Sequence, residues 1–358
     1  MNIKQKTVVG VLSTIATLTA TIPSHAASGV TLYGVADVGV EYLNHVPDAN
    51  KQSANLVRMT SGNIAGSRWG LRGVEELGGG LSALFVLEAG LAVDTGTSTL
   101  GGRLFGRKAY VGLSQAGIGQ LTLGRQHSVI FDLVINFDPM TFAPKYSSFA
   151  HDSAMNSRAD NAAKYVGSFG GLTLEGLYST GTDSTVTNGS EVPGNSRAGR
   201  EMSAGFTYEV QGFQFGSVFD QINGPGSNSG KTERRYLLMA AYQADRVKAF
   251  VGYRRLVSQL LTSMTRTDLV WTGASWDATK SVSLTGAVYK TNDRTSAKDP
   301  LSAVASVDYH LSKRTDAYLT GSYTLNKAAS ALGANGYDGS VVPGANQFGA
   351  VIGMRHTF

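Results

Sequence analysis

The chain contains no cysteine. That excludes a disulfide framework, a thiolate metal site and a thiol nucleophile. Proline is scarce, at 8 of 358 residues, whereas glycine reaches 44. This mix suits many strands joined by tight turns and excludes collagen-like or low-complexity disorder. Although 42% of the chain is hydrophobic, no apolar run beyond the N-terminus approaches the ~20 residues of a membrane helix. Neither sign of charge dominates. The 31 Lys and Arg against 26 Asp and Glu are spread without a basic run, so there is no electrostatic footprint for nucleic acid. No Gly-rich phosphate loop, histidine metal spacing or catalytic triad can be picked out. No cofactor, metal or catalytic residue is therefore expected.

Residues 1–26 read as an export signal. Lys4 and Lys6 give a basic start, an apolar Thr-rich segment follows over 8–22, and Ser24-His25-Ala26 supplies small residues for a signal peptidase. Cleavage is expected after Ala26, taking the net charge from +5 to +3 through loss of Lys4 and Lys6. The remainder, 27–358, is expected to form one β domain.

From residue 28 an alternation of period two repeats. Over 28–43, Val30, Leu32, Val38, Val40 and Tyr42 share one face, with Thr31, Tyr33, Asp37 and Glu41 on the other. This is a strand signal. It recurs at 67–77, 81–94, 103–115, 118–126, 161–168, 171–180, 198–210, 212–222, 231–244, 246–257, 264–277, 280–291, 300–311, 314–326 and 345–358, which makes sixteen strands. Their connections alternate short and long, as in outer-membrane barrels with short periplasmic turns and long outside loops. The polar faces, with residues such as Ser302, Ser306 and Asp308, are too hydrophilic for a packed core and suit a water-filled bore. Sixteen strands enclose more space than side chains fill. In lipid an open sheet edge would leave unpaired backbone groups costing several kcal/mol each, so the sheet must close. The predicted fold is all-β, a sixteen-stranded antiparallel transmembrane β-barrel.

The longest connection, 126–160, shows no sustained alternation. It carries Phe131, Phe137, Phe142, Phe149 and Tyr146, too apolar a set for a solvated linker. Connections of this length are usually functional or disordered. This one is expected to fold onto something.

In this order the segments VTLYGVADVGVEY, SRWGLRGVEELGGGLSALFVLEAG, FGRKAYVGL, GQLTLGRQ, LSKRTDAYL and the terminal GMRHTF resemble the trimeric general-diffusion porins of Gram-negative outer membranes, nearest the betaproteobacterial branch. The resemblance covers the whole mature chain. It implies a homotrimer in the cell outer membrane, surrounded by lipid and lipopolysaccharide, passing small hydrophilic solutes and ions without enzymatic chemistry. It also implies that the third long loop, 126–160, folds into the barrel and constricts it. By the same resemblance Arg68, Arg72, Arg107, Arg125 and Arg158 form the basic wall of the constriction, and Asp132 and Asp138 are the facing loop acids. Five Arg against two Asp point to a mild anion preference. Lys108 has the opposite strand parity from Arg107 and receives no place. Two positions depart from the family pattern: Val35 stands where a Lys is common, and Phe142 where an acid is common. Asp37 and Asp152 are the groups that could compensate.

Two other readings fit parts of the loop. Its five aromatics could form a sliding track for a specific nutrient. The pair His151-x-Ser153 has base and nucleophile spacing, as in a barrel lipase, but no third orienting group is evident.

Overall fold

The computed structural model describes residues 29–181, 191–260, 264–336 and 340–358. The export signal and its cleavage site lie outside them. Around the sheet run β1 (Gly29–Pro47), β2 (Ser53–Ser61), β3 (Arg68–Gly78), β4 (Leu81–Ala92), β5 (Thr97–Ser98), β6 (Lys108–Gln115), β7 (Gly119–His127), β8 (Arg158–Phe169) and β9 (Leu172–Ser179). They are followed by β10 (Glu201–Val210), β11 (Phe213–Asn223), β12 (Thr232–Ala244), β13 (Val247–Ser258), β14 (Thr265–Asp277), β15 (Val282–Asp293), β16 (Leu301–His310), β17 (Thr315–Leu325) and β18 (Gln347–Thr357).

Sixteen of these form a closed antiparallel ring, matching the predicted count. Closure is made by β1 on β18, in register from Val35 opposite Thr357 to Leu43 opposite Gly349. The terminal Phe358 seals the seam: its N–H donates to Gly34 O at 3.1 Å, and its carbonyl accepts from Gly34 N at 3.0 Å. Short turns join alternate strands. At Gly78, Gly79 and Gly80 three consecutive residues have φ of +94°, +61° and +78°, a left-handed run that glycine adopts at no steric cost.

The two additional strands correct the expected loops. β2 lies in the connection between the first two predicted strands, 44–66, where no strand is expected. Its register runs from Val38 opposite Ser61 to Pro47 opposite Ser53, while the lower part of β1 pairs with β3. The segment alternates locally, with Val57 and Met59 outward, but its polar flanks hide that from a sequence reading. β5 is a two-residue pairing against β4. Several boundaries also move: β1 runs on to Pro47 rather than 43, β6 begins at Lys108 rather than 103, β8 at Arg158 rather than 161, and β10 at Glu201 rather than 198.

The wall has two chemically distinct faces. Val30, Leu32, Leu113, Leu121, Leu238 and Ile352 are more than half exposed on the outside, an apolar surface far larger than water-soluble monomers carry. Asp37, Glu41, Glu88, Arg254 and Thr320 are buried on the opposite face. The core is not sandwiched between sheets. It lies where the third long loop meets that opposite face.

Candidate functional site

Ser128 starts the loop by accepting from Phe131 N as the N-cap of α1 (Val129–Val134). Short 3-10 turns follow at Ser148–Ala150 and Ser153–Asn156. Ile130, Leu133, Val134, Phe137, Tyr146, Phe149 and Met155 join Leu177, Val218, Leu237, Leu269, Trp271 and Tyr289 of the wall in one buried cluster. Full burial of each large apolar side chain contributes about 1.5–3 kcal/mol, enough collectively to hold the loop. The wall is bared where the loop docks. A Cβ on Gly205 would lie 2.7 Å from Leu133, and one on Gly216 would lie 2.7 Å from Phe137.

Polar anchors fix the register of this docking. Trp271 Nε1 donates to Phe137 O at 2.9 Å. Asp152 accepts from Arg235 at 3.0 and 3.1 Å and pairs with Arg254 at 3.0 Å. Burial pushes the Asp152 carboxyl up, but the two guanidiniums more than offset this and hold it below its ordinary range. Asp138 accepts from Tyr289 Oη at 2.7 Å, Ser148 N at 2.8 Å and Met140 N at 2.9 Å. With no cation among these partners, burial prevails and raises its pKa.

A charged cluster lies beside the loop. Glu88 accepts from Arg107 Nε at 2.7 Å and Tyr33 Oη at 2.9 Å, with Arg68 Nε at 3.8 Å. Asp132 on α1 pairs with Lys164 and contacts His127 Nδ1 at 3.3 Å. Burial raises the Asp132 pKa, but Lys164 and His127 more than offset it, so the carboxyl stays low. Arg68 sits over the Phe142 ring at 5.7 Å and Arg72 over Tyr33 at 5.4 Å.

Three cavities run along this face. The first, about 540 Å³, is lined by Arg68, Arg72, Glu88, Arg107, Lys108, Asp132 and Phe142, and reaches Phe358. The second, about 760 Å³, adjoins it at Val35, Arg68 and Phe142 and opens among Lys280, Lys313, Arg314 and Arg355. The third, about 450 Å³, lies among Arg58, Leu100, Lys145 and Arg158.

Of the sequence-predicted residues, the structure brings Arg68, Arg72, Arg107 and Asp132 together around the first cavity. Arg158 lines the third. Arg125 is drawn aside, donating to Asp160 at 2.6 Å and Gly106 O at 2.7 Å. Asp138 does not face the arginines: it is fully buried in the loop–wall contact, because Tyr289 and two loop N–H groups engage it. The suggested compensating acids are likewise committed elsewhere. Asp37 accepts from Tyr318 Oη at 2.5 Å and from Ile64 and Ala65 N, and Asp152 is held by Arg235 and Arg254. Arg107 precedes β6, so strand parity does not separate it from Lys108, and both line the same cavity. Glu88 and Lys164 were missed. Glu88 is the single charge in β4, and Lys164 stands in the apolar half of β8, beyond Arg158 and Asp160. Facing lipid at mid-depth would cost ~2–4 kcal/mol for a Lys and less for a Glu, so that signal was available.

A closed sixteen-stranded wall with an apolar outside and a charged, cavity-bearing inside defines a β-barrel channel of the outer membrane. The model of the Gram-negative porin family matches residues 13–329, and the chain belongs to that family. It is an outer-membrane channel for passive diffusion. An outer membrane porin protein of Bordetella pertussis is 32% identical over 250 residues, covering 65% of each chain. Outer membrane porin protein 32 of Delftia acidovorans is 29% identical over 97% of this chain and 99% of its own. Among solved structures, the anion-selective porin from Comamonas acidovorans superposes with a TM-score of 0.77 at 25% identity, covering 92% of this chain and all of that one.

Proposed function

We propose that residues 128–157 lie inside the barrel and narrow the pore at a waist formed by Gly66 and Arg107 of the wall and Pro144 and Asn156 of the loop. One observation carries this: the first and third cavities share those four residues. The first extends toward the end with the short turns, the third toward the end with the long loops. The path through the waist admits small hydrophilic solutes and ions.

Cations outnumber carboxylates in all three cavities, which supports a preference for anions. The magnitude is modest. Unit charges ~10 Å apart interact by roughly 0.4 kcal/mol in bulk water and ~1.7 at an effective dielectric of 20, and physiological salt screens over ~8 Å. The result is a bias and not a filter. Arg68, Arg72, Arg107 and Lys108 carry it, moderated by Glu88 and Asp132.

The mature barrel, 27–358 after cleavage behind Ala26, works as a homotrimer in outer-membrane lipid and lipopolysaccharide, as the family resemblance implies. The loop aromatics serve mainly as anchors. Phe131, Phe137, Tyr146 and Phe149 are buried, and of the five aromatics Phe131 and Phe142 alone line the first cavity, too short a series for a sliding track. His151 is held down to about 3 by burial and by Arg254 and bonds Thr291 at 3.0 Å, which suits a docking role better than a catalytic base. The test is a planar-bilayer reversal potential across a KCl gradient. Chloride preference is expected, and clear potassium preference would overturn the assignment.

A further inference from the structure

The outward face of β12–β15 changes character near the long-loop end. Opposed residues share a face in an antiparallel pair, so the register identifies its members. Tyr236 lies opposite Arg255, Arg255 opposite Asp268, and Asp268 opposite Asn292. One step further toward the loops, Arg234 lies opposite Val257, and Val257 opposite Arg266. Leu238, Val251, Val270 and Val288, which are 41–65% exposed, continue the same face into the apolar belt. Arg234, Arg255 and Arg266 are therefore gathered just beyond a lipid-facing surface, with Lys290 at its edge opposite Val270, donating to Asp299 O at 3.0 Å, and Arg294 following β15.

Asp268 organises this cluster. Its Oδ1 accepts from Arg255 Nε at 3.0 Å and Tyr253 Oη at 2.8 Å; its Oδ2 accepts from Arg294 Nε at 2.8 Å and Arg255 Nη2 at 3.3 Å. Asp268 is only 4% exposed, yet the side chains of Arg255 and Arg294 remain 53% and 55% exposed. One carboxylate thus fixes two guanidiniums side by side while leaving much of each open to the surroundings. A fixed pair of guanidiniums matches a phosphate better than separate mobile lysines do, because Arg presents a planar fork to phosphate oxygens.

We propose that this patch is a binding site for the phosphate groups of an outer-leaflet glycolipid, with Arg255 and Arg294 as the gripping pair and Arg234, Arg266 and Lys290 as flanking charges. This deepens the outer-membrane channel reading and rests on it, since long loops mark the outer side. The occupant is a lipid because the cations adjoin the apolar belt. Acyl chains would cover Leu238, Val251 and Val270 while the headgroup phosphate meets the arginines.

The test uses the full barrel folded in detergent with three probes: lipopolysaccharide, the same material with its phosphates removed, and inorganic phosphate. The readout is co-migration and thermal shift. The unaltered protein should retain lipopolysaccharide and lose it on dephosphorylation. R255Q/R294Q should bind about tenfold or more weakly, since each basic residue near a membrane surface contributes on the order of a fivefold change. R255K/R294K keeps the charge and should fall between. Unchanged binding in R255Q/R294Q overturns the proposal, and so does equal stabilisation by inorganic phosphate. Bilayer conductance of the same samples separates the two readings. R255Q/R294Q should conduct normally, whereas absence of conductance in the unaltered protein would count against the channel reading instead.

Discussion

The hydroxyl of Tyr289 on β15 donates a 2.7 Å hydrogen bond to the loop carboxylate of Asp138, and both groups are almost completely buried. Asp138 therefore acts as an anchor of the loop and not as a charge facing the pore. Removing the donor with Tyr289→Phe leaves that carboxylate one partner short, which costs about 1–3 kcal/mol. The melting temperature should fall and open-channel current noise should rise. Unchanged melting and noise would show that this anchor is dispensable.

The packing around the same anchor gives a larger effect. Phe137 is 1% exposed against the wall. Phe137→Ala should cost about 3–5 kcal/mol and loosen the docking of the loop. If the loop narrows the bore, mean conductance rises while the sixteen-stranded ring still forms. A variant that melts normally and conducts as before would refute the docking role.

The charge lining the first cavity can be changed in both directions. Glu88→Gln removes the acid engaged by Arg107 and Arg68, so chloride preference should increase. Arg107→Ala should reduce it. Each change amounts to a few-fold in the permeability ratio, because a unit charge ~5 Å from an ion contributes roughly 0.8 kcal/mol in water. Reversal potentials at low and high salt check this, and the shifts should shrink as salt rises.

Phe142 lies where the family resemblance leads one to expect an acid, with Arg68 at 5.7 Å from its ring. Phe142→Asp would place a carboxylate beside Arg68 and should move the reversal potential toward cations. If selectivity is unaffected, Phe142 does not border the conducting path.

Acid should loosen the loop. The Asp152 pKa is depressed by Arg235 and Arg254, although burial opposes them. A depressed folded-state value means that its contribution is fully present above the ordinary carboxylate range near pH ~4 and is lost as pH falls through the folded value. Asp138 acts with the opposite sign: its value is raised, so its contribution weakens as pH rises. Asp152→Asn should therefore be noisy already at pH 7 and respond less to acid. An unaltered acid response in that variant would remove Asp152 from the docking balance.

The alternation of apolar and polar residues and the short and long connections were enough to specify a closed sixteen-stranded barrel. Period two maps directly onto two faces, and lipid permits no open edge. The aromatic content of 126–160 also showed that this segment must dock. The partners of each charge were not legible. Asp132 and Asp138 look alike six residues apart, yet one meets Lys164 beside the cavity and the other meets Tyr289, 151 residues away. Arg125 and Arg107 both looked like wall arginines, yet only the register across β6, β7 and β8 gives Arg125 to Asp160. Strand pattern is a local property of the chain, whereas a pore is formed by side chains that only the closed ring and the docked loop bring together.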